Sequence, residues 1–555
     1  MTAATPYRSV TPYRSQAGPG RDGFGQLVHA EWTKFRTVRG WLIGIVVAGL
    51  LSVGISLLYH GECGTISPSG QTIGCPGASL GPNGEAVTDN FYFVHQSLAG
   101  DGTITVRVAS LSGVYSPNGA SSGNPADPLA GFTSGVQPWA KAGIMIKAST
   151  AQGSAYAAMA VTGGNGVRMQ YNYTGDIAGL PGVVTASSPR WLRLTRSGDT
   201  VTGYDSLDGT HWTPVGSVTL SGLPRVAQVG LFAASPTYVV LSQSIAHGGG
   251  SGGPTLATAS FDHVALPATT GQLTGTTALT GTTVGGATPL GGGPASPGQG
   301  TTAQNPFNGS YKQSGGRYVV SGSGDIAPNV PGTPDGTGES PTRAIETGTF
   351  FALIVMVIVG AMFITAEYRR GLIRTTLTAS PRRGRVLVAK AVVLGAVTFA
   401  VGLIGTAIAL PAGESRFRAG GYWVPPLSGA VTARMVVGTA AVMAVASVLA
   451  LAVGVIVRRG VAAVSTVIVL IVLPFLFAVI PGLLPLGAEN WLLQVFPAAA
   501  FAVQQAFPAY HQIYAQYLPG NGYYPLPAWA GLVVLCAWTA LALAAAAYLL
   551  KRRDA

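Results

Sequence analysis

The sequence has 555 residues, of which 9% are charged and 48% are hydrophobic. Soluble domains carry about 25% charged residues, so the composition indicates that much of this chain lies in a membrane. The net charge is +12, yet eleven Lys and Arg residues stand against thirteen Asp and Glu residues between positions 60 and 343. The basic excess therefore lies in short segments beside apolar runs. This argues against a nucleic-acid-binding face and favours membrane topology and contact with anionic lipid head groups.

The cysteine and histidine pattern predicts no metal site. There is no CxxC motif, and none of the seven histidines lies within four residues of another. Cys63 and Cys75 lie close together in a Gly/Ser/Pro-rich segment. If that segment is extracytoplasmic, we expect a disulfide between them. Cys536 lies in an apolar run, where it is most simply a small packing residue.

The first 58 residues are predicted to approach a membrane and then cross it. Residues 1–20 are polar and irregular, and we interpret them as a disordered tail. Residues 21–39 have apolar side chains, Trp32 among them, at a 3.6-residue period. This favours a helix that lies in the membrane interface over one packed on protein. Residues 40–58 carry no charge and are long enough to span a hydrocarbon core of roughly 30 Å.

A long polar segment follows and has three parts. Residues 59–88 are interpreted as a linker. Between residues 89 and 267, short runs of alternating polar and apolar side chains are separated by Gly/Asp turns, which is typical of an antiparallel β-sandwich. Residues 268–345 are rich in Gly, Thr, Ser and Pro, which predicts a flexible tether. One stretch within it, residues 316–326, could form a strand.

Three stretches of the sandwich are distinctive: WAKAGIM at 139–145, WLRL at 191–194 and YDSLDGTHW at 204–212. They resemble concanavalin A-like (laminin G-like) jelly-roll modules. The resemblance implies an all-β jelly roll and rests on strand and turn signatures, not on catalytic ones. Glycan binding stays open beside a spacer or protein-interaction role, because an aromatic residue on a strand is more often part of a core. The candidate glycan contacts are Tyr171, Tyr173, Tyr204 and Trp212.

We do not expect the sandwich to be an enzyme. Glycosidases need a pair of carboxylates, and the only glutamate between positions 86 and 340 is Glu339. Asp199, Asp205 and Asp208 stand in turn contexts, where their side chains hold local backbone hydrogen bonds. Residues 206–212 resemble the Asp-box turn of sialidases, and a single copy is more often a structural hairpin.

Five further apolar runs bring the number of predicted membrane spans to six. These runs are residues 348–365, 386–410, 435–457, 461–484 and 528–550. Short loops on one side carry seventeen Lys and Arg residues, against two on the other side. The positive-inside rule therefore predicts cytoplasmic termini and an extracytoplasmic sandwich. Lys390 and Arg434 lie near helix ends, where we expect them to snorkel to the interface.

Two more stretches are AEWTKFRTVRGW at 30–41 and FITAEYRRGLIRTTLTASPRRGRVLVAKA at 363–391. They resemble the start of the first span, and the loop between the second and third spans, of actinobacterial ABC-2-type transporter permeases. The resemblance covers residues 21–58 and 346–555, and the departure is the long insertion between the first two spans. It implies that residues 366–390 dock on an ATP-binding cassette subunit and pass on its motion. The implied contact residues are Glu367, Tyr368, Arg369, Arg370, Arg374, Arg382 and Arg383.

The alternative is that these arginines only set the membrane topology of the chain.

The chain lacks a Walker A motif because none of its six lysines follows a glycine. We therefore predict that the chain binds no cofactor itself and that a separate subunit binds ATP.

The predicted fold is that of a multi-domain membrane protein. An all-α six-helix transmembrane domain carries an all-β jelly-roll sandwich between its first and second spans. The predicted function is that of a plasma-membrane permease subunit in an ATP-driven exporter, working as a homodimer or heterodimer among membrane lipids. Its sandwich would bind glycan or cargo. The alternatives are a surface receptor or glycan-binding membrane protein without transport activity and, third, a tethered surface hydrolase.

Overall fold

The structure is a computed structural model. It describes residues 23–58, 64–66, 72–74, 79–117, 129–241, 250–266, 279–285, 306–333, 341–373, 383–422, 424, 426–480 and 483–553. The predicted tail 1–20 and the residues Cys63, Cys75, Arg374 and Arg382 lie outside the described residues. The expected disulfide therefore stays a prediction.

The described residues contain eight α-helices. They are α1 (Phe24–Thr37), α2 (Arg39–Leu58), α3 (Pro341–Arg369), α4 (Arg383–Ala419), α5 (Gly429–Val457), α6 (Gly460–Val479), α7 (Leu486–Val495) and α8 (Ala528–Arg553). Six of them, α2 to α6 and α8, are long and apolar enough to cross a membrane. The prediction of six apolar helices is confirmed. Between α7 and α8 a buried 3₁₀ helix, Pro497–Gln504, packs against α8.

Some helices are longer than the apolar runs that predicted them. Helix α4 continues through Pro411 to Ala419, whereas the predicted span ends at residue 410. Helix α5 begins ahead of its predicted start at residue 435, because Ser428 caps it. The Ser428 hydroxyl accepts a hydrogen bond from the Val431 N–H at 3.3 Å. Apolarity marks the part of a helix suited to lipid, whereas backbone hydrogen bonding and caps decide where the helix ends.

Helices α3 and α5 approach each other closely at a glycine. A Cβ atom added to Gly360 would collide with the backbone carbonyl of Ser447 on α5. Around this point Val357 and Ala361 of α3 pack with Ala446 and Ala450 of α5 in a buried apolar cluster. Small residues let the two helix backbones come this close. Inside a membrane, such packing contacts drive helix association, because no hydrophobic effect acts between helices there. Helix α3 is therefore packed firmly against α5 around Gly360.

The described residues also contain 22 strands. They are β1 (Gly64–Ile66), β2 (Thr72–Gly74), β3 (Ser79–Leu80), β4 (Ala86–Asp89), β5 (Phe91–Ala99), β6 (Gly102–Tyr115), β7 (Thr133–Ser134), β8 (Lys141–Lys147), β9 (Tyr156–Thr162), β10 (Val167–Tyr171), β11 (Gly175–Ala178), β12 (Arg190–Ser197), β13 (Thr200–Ser206), β14 (Thr213–Thr219), β15 (Val226–Ala234), β16 (Tyr238–Leu241), β17 (Gly250–Gly253), β18 (Thr255–Ala265), β19 (Thr280–Val284), β20 (Ser310–Ser314), β21 (Arg317–Gly322) and β22 (Ile326–Pro328). In chain order they lie between α2 and α3.

Most strands belong to two antiparallel sheets that face each other. One sheet has seven strands in the order β11-β10-β9-β8-β15-β5-β19. The other has eight, in the order β14-β13-β12-β6-β18-β21-β20 with β7 paired to β6. The facing sides of the two sheets form one apolar core, which includes Ile104, Ile144 and Leu192. The predicted β-sandwich is confirmed, because side chains alternate between this core and the opposite face of each sheet.

A third layer covers the other face of the seven-stranded sheet. It is a small sheet in the order β22-β4-β3. Two buried ion pairs hold it in place: Lys147 on β8 lies 2.8 Å from Asp89, and Lys141 lies 2.9 Å from Asp325. Strand β8 is therefore buried at every position, although its sequence alternates. Paired charges can stand inside a fold where single ones cannot.

The tether prediction for residues 268–345 needs correction in the parts that the structure describes, 279–285, 306–333 and 341–345, and the rest of that range lies outside the described residues. Within that range β19 pairs with β5, β20 and β21 complete the eight-stranded sheet, and β22 joins the third layer. The composition is poor in large apolar side chains. The strands β19 to β22 gain order by adding backbone hydrogen bonds to the edges of other strands, so they need little apolar surface of their own.

The sandwich contacts the helical bundle through residues 505–518, the connection before α8. Ile513 packs with Ala327 and Val330, which follow the third layer. The Gln512 side chain donates a hydrogen bond to the Thr174 carbonyl at 2.8 Å, and the Tyr514 hydroxyl donates one to the Val239 carbonyl at 2.8 Å. We call this end of the bundle the sandwich end.

Candidate functional site

At the other end of the bundle, arginines gather where α3, α5 and α8 end and where α4 and α6 begin. We call it the basic end. The arginines at this end include Arg369, Arg370, Arg383, Arg385, Arg458, Arg459 and Arg552. The described parts of the stretch predicted to couple to a partner, residues 366–373 and 383–390, lie here.

Four charged side chains form a buried cluster beneath this surface, which we call the Lys390 cluster. The ammonium group of Lys390 lies 2.6 Å from Oε2 of Glu31 and 2.7 Å from Oε1 of Glu367. Lys34 adds a second cation, 2.9 Å from Glu31 and 3.4 Å from Glu367. Lys390, Glu31 and Glu367 are 0%, 2% and 5% exposed. Two cations balance two anions, which is the condition for keeping charge inside a fold.

The cluster joins three helices at one point. Glu31 and Lys34 come from α1, Glu367 from the last turn of α3, and Lys390 from α4. Burial lowers the pKa of Lys34, but hydrogen bonds and charge from the two glutamates outweigh it and raise that pKa above its ordinary value. Lys34 therefore stays protonated at neutral pH, and the cluster keeps its second cation.

Aromatic packing supports the same junction. The Phe35 ring lies 5.5 Å from the Phe363 ring, edge to face, and the Trp41 ring lies 4.9 Å from it. The Lys390 ammonium lies 4.8 Å from the centre of the Phe363 ring. Phe35 lies one turn after Glu31, so a single face of α1 supplies both the carboxylate and the ring. Helices α1, α3 and α4 are thus held as one unit.

The predicted coupling residues fall into two groups. Glu367 is buried in the Lys390 cluster, and Tyr368 is half-buried with the Arg458 guanidinium 5.2 Å from its ring centre. Arg369 and Arg370 are exposed. Of these four, the two arginines present the free polar surface, and their contact with a partner stays a prediction.

Arg383 has a structural contact of its own. Its guanidinium donates a hydrogen bond to the Leu550 carbonyl at 2.7 Å and so caps the last turn of α8. Arg374 and Arg382 lie outside the described residues.

Sequence reasoning missed Glu31 and Lys34 and misplaced Lys390. Lys390 does not snorkel, because its ammonium group has two carboxylate partners within the protein. Arg434 donates a hydrogen bond to the Gln505 carbonyl, so this side chain also has a protein partner. The sequence did contain a signal for this contact, because a lone lysine in an apolar run needs an anionic partner.

The four predicted glycan contacts also fall into two groups, one packed inside the sandwich and the other on an outer face. Tyr173 is 2% exposed, and its hydroxyl donates a hydrogen bond to Asp89 at 2.8 Å. Tyr171 is half-buried and packs against the core between the sheets. The glycan assignment of Tyr173 is therefore corrected, because a buried ring offers no stacking face. Tyr171 belongs to the packing of the sandwich.

Tyr204 and Trp212 lie together on the face of the eight-stranded sheet that points away from the core. Tyr204 on β13 stands directly opposite Arg193 on β12. The Arg193 guanidinium lies 3.8 Å from the centre of the Trp212 ring. An arginine between two half-exposed rings offers stacking and hydrogen bonding together. This Arg193 face is the part of the sandwich suited to a polar ligand.

The turn at residues 206–212 is a hydrogen-bonded hairpin. Asp208 accepts hydrogen bonds from the N–H groups of Thr210 and His211, both at 2.8 Å. The hydrogen bond from the His211 side chain, at 2.6 Å, lowers the pKa of Asp208 well below its ordinary value and raises the pKa of His211. The Asp208 carboxylate therefore stabilises the turn.

Across the described ranges no group of three His, Cys, Asp or Glu residues is placed to hold a metal ion.

Some solved structures are similar to part of the chain. One is the GH43 protein BlXynB from Bacillus licheniformis, at 15% identity and TM-score 0.17, covering 27% of this chain and 25% of that one. Another is a functionally unknown protein from Saccharomyces cerevisiae, at 16% identity and TM-score 0.20, covering 38% and 85%. A third is scytalido-glutamic peptidase, at 10% identity and TM-score 0.23, covering 42% and 98%. TM-scores this low establish no shared fold.

The family comparison is more informative. No curated protein matches the chain. A family model described as ABC-2 family transporter protein matches residues 199–555, which is more than half of the chain. The match includes five of the six apolar helices and the coupling stretch at the basic end. This chain belongs to the ABC-2 family of transporter proteins.

Proposed function

We propose that the chain is the membrane-spanning permease subunit of an ATP-driven exporter in the plasma membrane. A separate ATP-binding cassette subunit would dock at the basic end, bind and hydrolyse ATP, and supply the motion. The working unit would contain two permease chains, either identical or different. The chain itself would hold no cofactor.

The Lys390 cluster is the observation that carries this proposal. A partner that moves Arg369 and Arg370 pulls on the last turn of α3, where Glu367 is tied to both α1 and α4. Helix α3 is packed against α5 through Gly360. A push at the basic end therefore reaches the bundle as a movement of packed helices, not as a local loop motion.

We propose that the basic end is cytoplasmic and that the sandwich is extracytoplasmic, inserted between the first and second spans. The support is the count of Lys and Arg in short loops. Contacts through Ile513, Gln512 and Tyr514 would hold the sandwich over the outer end of the helices. A cargo that leaves the bundle would meet the sandwich there.

The sandwich would bind glycan or the glycan part of a cargo at the Arg193 face, with Tyr204 and Trp212 as stacking rings. We propose that it is not an enzyme, because Asp208 is committed to its turn. The same face supports a second candidate function, a glycan-binding receptor without transport activity. Both functions predict that the full chain binds glycans on a glycan array. Both also predict that Trp212→Ala loses this binding and that Trp529→Ala keeps it.

The test that separates the two functions is purification in a gentle detergent, followed by identification of whatever protein comes with the chain. We expect an ATP-binding protein in stoichiometric amount. Its ATPase activity should rise with the wild-type chain and lose that stimulation with Arg369→Ala/Arg370→Ala. The matched control is Arg416→Ala/Arg418→Ala, two exposed arginines near the sandwich end. Absence of an ATP-binding partner, even after cross-linking, would overturn the exporter and favour the receptor.

A further inference from the structure

A large cavity lies at the basic end, outside the Lys390 cluster. It lies between the last three turns of α3 on one side and, on the other, the start of α6 with the turn that joins it to α5, and its volume is about 760 Å³. Cavities of roughly 300–1,000 Å³ are typical of sites for ligands the size of a lipid or drug. We call it the α3–α6 cavity. Its lining residues are Ile358, Met362, Thr365, Ala366, Tyr368, Arg369, Arg458, Arg459, Gly460, Val461, Val464 and Ser465.

The walls of the cavity are apolar and open to the surroundings. Ile358 and Met362 lie one turn apart on α3, and Val461 and Val464 lie one turn apart on α6. Met362 is 44% exposed and Val461 is 84% exposed. Both belong to helices that are apolar enough to cross a membrane. Such side chains face acyl chains when the bundle is in a bilayer.

The mouth of the cavity is cationic. Arg369 and Arg459 are exposed, and Arg458 is held beside Tyr368 at the left-handed end of α5, where its φ angle is +62°. The twelve lining residues include no Asp or Glu. The carboxylate of Glu367 is engaged by Lys390 and Lys34, so it does not neutralise the mouth.

We infer that the α3–α6 cavity binds an anionic phospholipid from the surrounding leaflet. The phosphate would sit at the exposed guanidinium groups of Arg369 and Arg459, because guanidinium groups bind phosphate through paired, charge-assisted hydrogen bonds. One acyl chain would lie along the apolar walls between α3 and α6. Basic pockets between spanning helices suit lipid head groups in this way. The inference rests on the membrane placement of the chain and not on the proposed ATP-binding partner.

The charge pattern favours this occupant over a protein segment. A partner helix would need carboxylates at the mouth and would cover the exposed faces of both Met362 and Val461. A phospholipid carries a negative head group and an apolar acyl chain in one molecule. In a bilayer the head group lies at the depth of the cationic mouth and the acyl chain at the depth of the apolar walls. Lipid bound here would also touch Tyr368 and Arg369, which belong to the predicted coupling segment.

The test uses the full chain, purified alone in a neutral detergent and studied by native mass spectrometry. Dioleoyl phosphatidylglycerol is the probe, dioleoyl phosphatidylcholine the zwitterionic control, and inorganic phosphate the control for the head group alone. We expect one tightly bound phosphatidylglycerol per chain and weaker binding of phosphatidylcholine. Arg369→Gln/Arg459→Gln should weaken that binding by at least about tenfold, the effect of losing one charge-assisted hydrogen bond. Met362→Trp should block it by filling the apolar wall.

The matched control is Arg416→Gln/Arg418→Gln, which should bind phosphatidylglycerol as the wild type does. Melting temperatures in detergent check that every variant is folded. Equal binding of the two lipids, or equal binding by the wild type and by folded Arg369→Gln/Arg459→Gln, overturns the inference. So does full displacement of the lipid by inorganic phosphate, or a cross-link that places a second copy in the cavity. Because no ATP-binding subunit is present, failure of the exporter proposal leaves this result unaffected.

Discussion

The ammonium group of Lys390 lies 2.7 Å from Oε1 of Glu367, and both side chains are buried. The two residues lie near the two ends of the stretch that is predicted to meet an ATP-binding partner, one on α3 and the other on α4. Their contact therefore ties the end of α3 directly to α4. Glu31 completes the junction from α1, so the amphipathic first helix is tied to both α3 and α4 at this point.

Replacing Lys390 with Met should destabilise the bundle strongly. The change leaves two buried carboxylates with only the half-exposed Lys34 as a cation, and breaking a buried pair costs about 3–5 kcal/mol. Thermal unfolding of the purified chain in detergent should show a clear fall in melting temperature. Lys312→Met is the control, because Lys312 is exposed on β20. Adding Glu367→Gln to Lys390→Met should recover part of the loss. A melting temperature equal to that of the wild type would contradict the cluster.

The third layer of the sandwich depends on the pair between Lys147 and Asp89. Both side chains are 0% exposed, and burial lowers the pKa of Lys147. Lys147→Met should cost about 3–5 kcal/mol of unfolding free energy, because Asp89 is left as a buried charge. Chemical unfolding of the full chain measures this, with tryptophan fluorescence as the probe. The double variant Lys147→Met/Asp89→Asn should be more stable than the single one. If the two variants are equally stable, the pair does not hold the layer.

The close approach of α3 and α5 predicts a position-specific effect of alanine. Gly360→Ala should cost about 1–3 kcal/mol, because the added methyl group meets the Ser447 backbone. Gly395→Ala on α4 is the matched control. Its added Cβ meets only a Val448 methyl group at 3.4 Å, so the change should be neutral or slightly stabilising. Melting temperatures of the two variants in detergent give the comparison, and similar values would argue against tight packing at Gly360.

Acid should weaken the eight-stranded sheet through Asp262. The hydrogen bond from Arg107 Nε, at 2.6 Å, lowers the pKa of Asp262 to about 2. A carboxyl group with a lowered pKa stabilises the fold above its unfolded value of about 3.9, and this contribution is lost as the pH falls towards about 2. Unfolding midpoints between pH 5 and pH 2 should therefore fall less steeply in Asp262→Asn than in the wild type. Parallel curves for the two proteins would rule out the contribution.

Much of the architecture can be predicted from local sequence patterns. Uncharged runs predicted six apolar helices, and alternation predicted the sandwich, because each pattern reports the surroundings of one element. Residues 268–345 were predicted only in part. The strand expected within residues 316–326 is present as β21, and β20 forms a hairpin with it. Strands β19 and β22 pair with β5 and β4, which lie far away in the chain, and composition carries no information about those partner edges.

By itself, the sequence determined the apolar helices, the alternating strands and the position of the basic segments, since these follow from which side chains tolerate lipid or water. Only the tertiary structure decided which charges are exposed and which are paired. Glu31 lies 359 residues before Lys390 in the chain, and its meeting with Lys390 and Glu367 depends on how three helices pack. The same holds for Tyr173, which a strand pattern leaves as a surface candidate and a third layer of sheet buries.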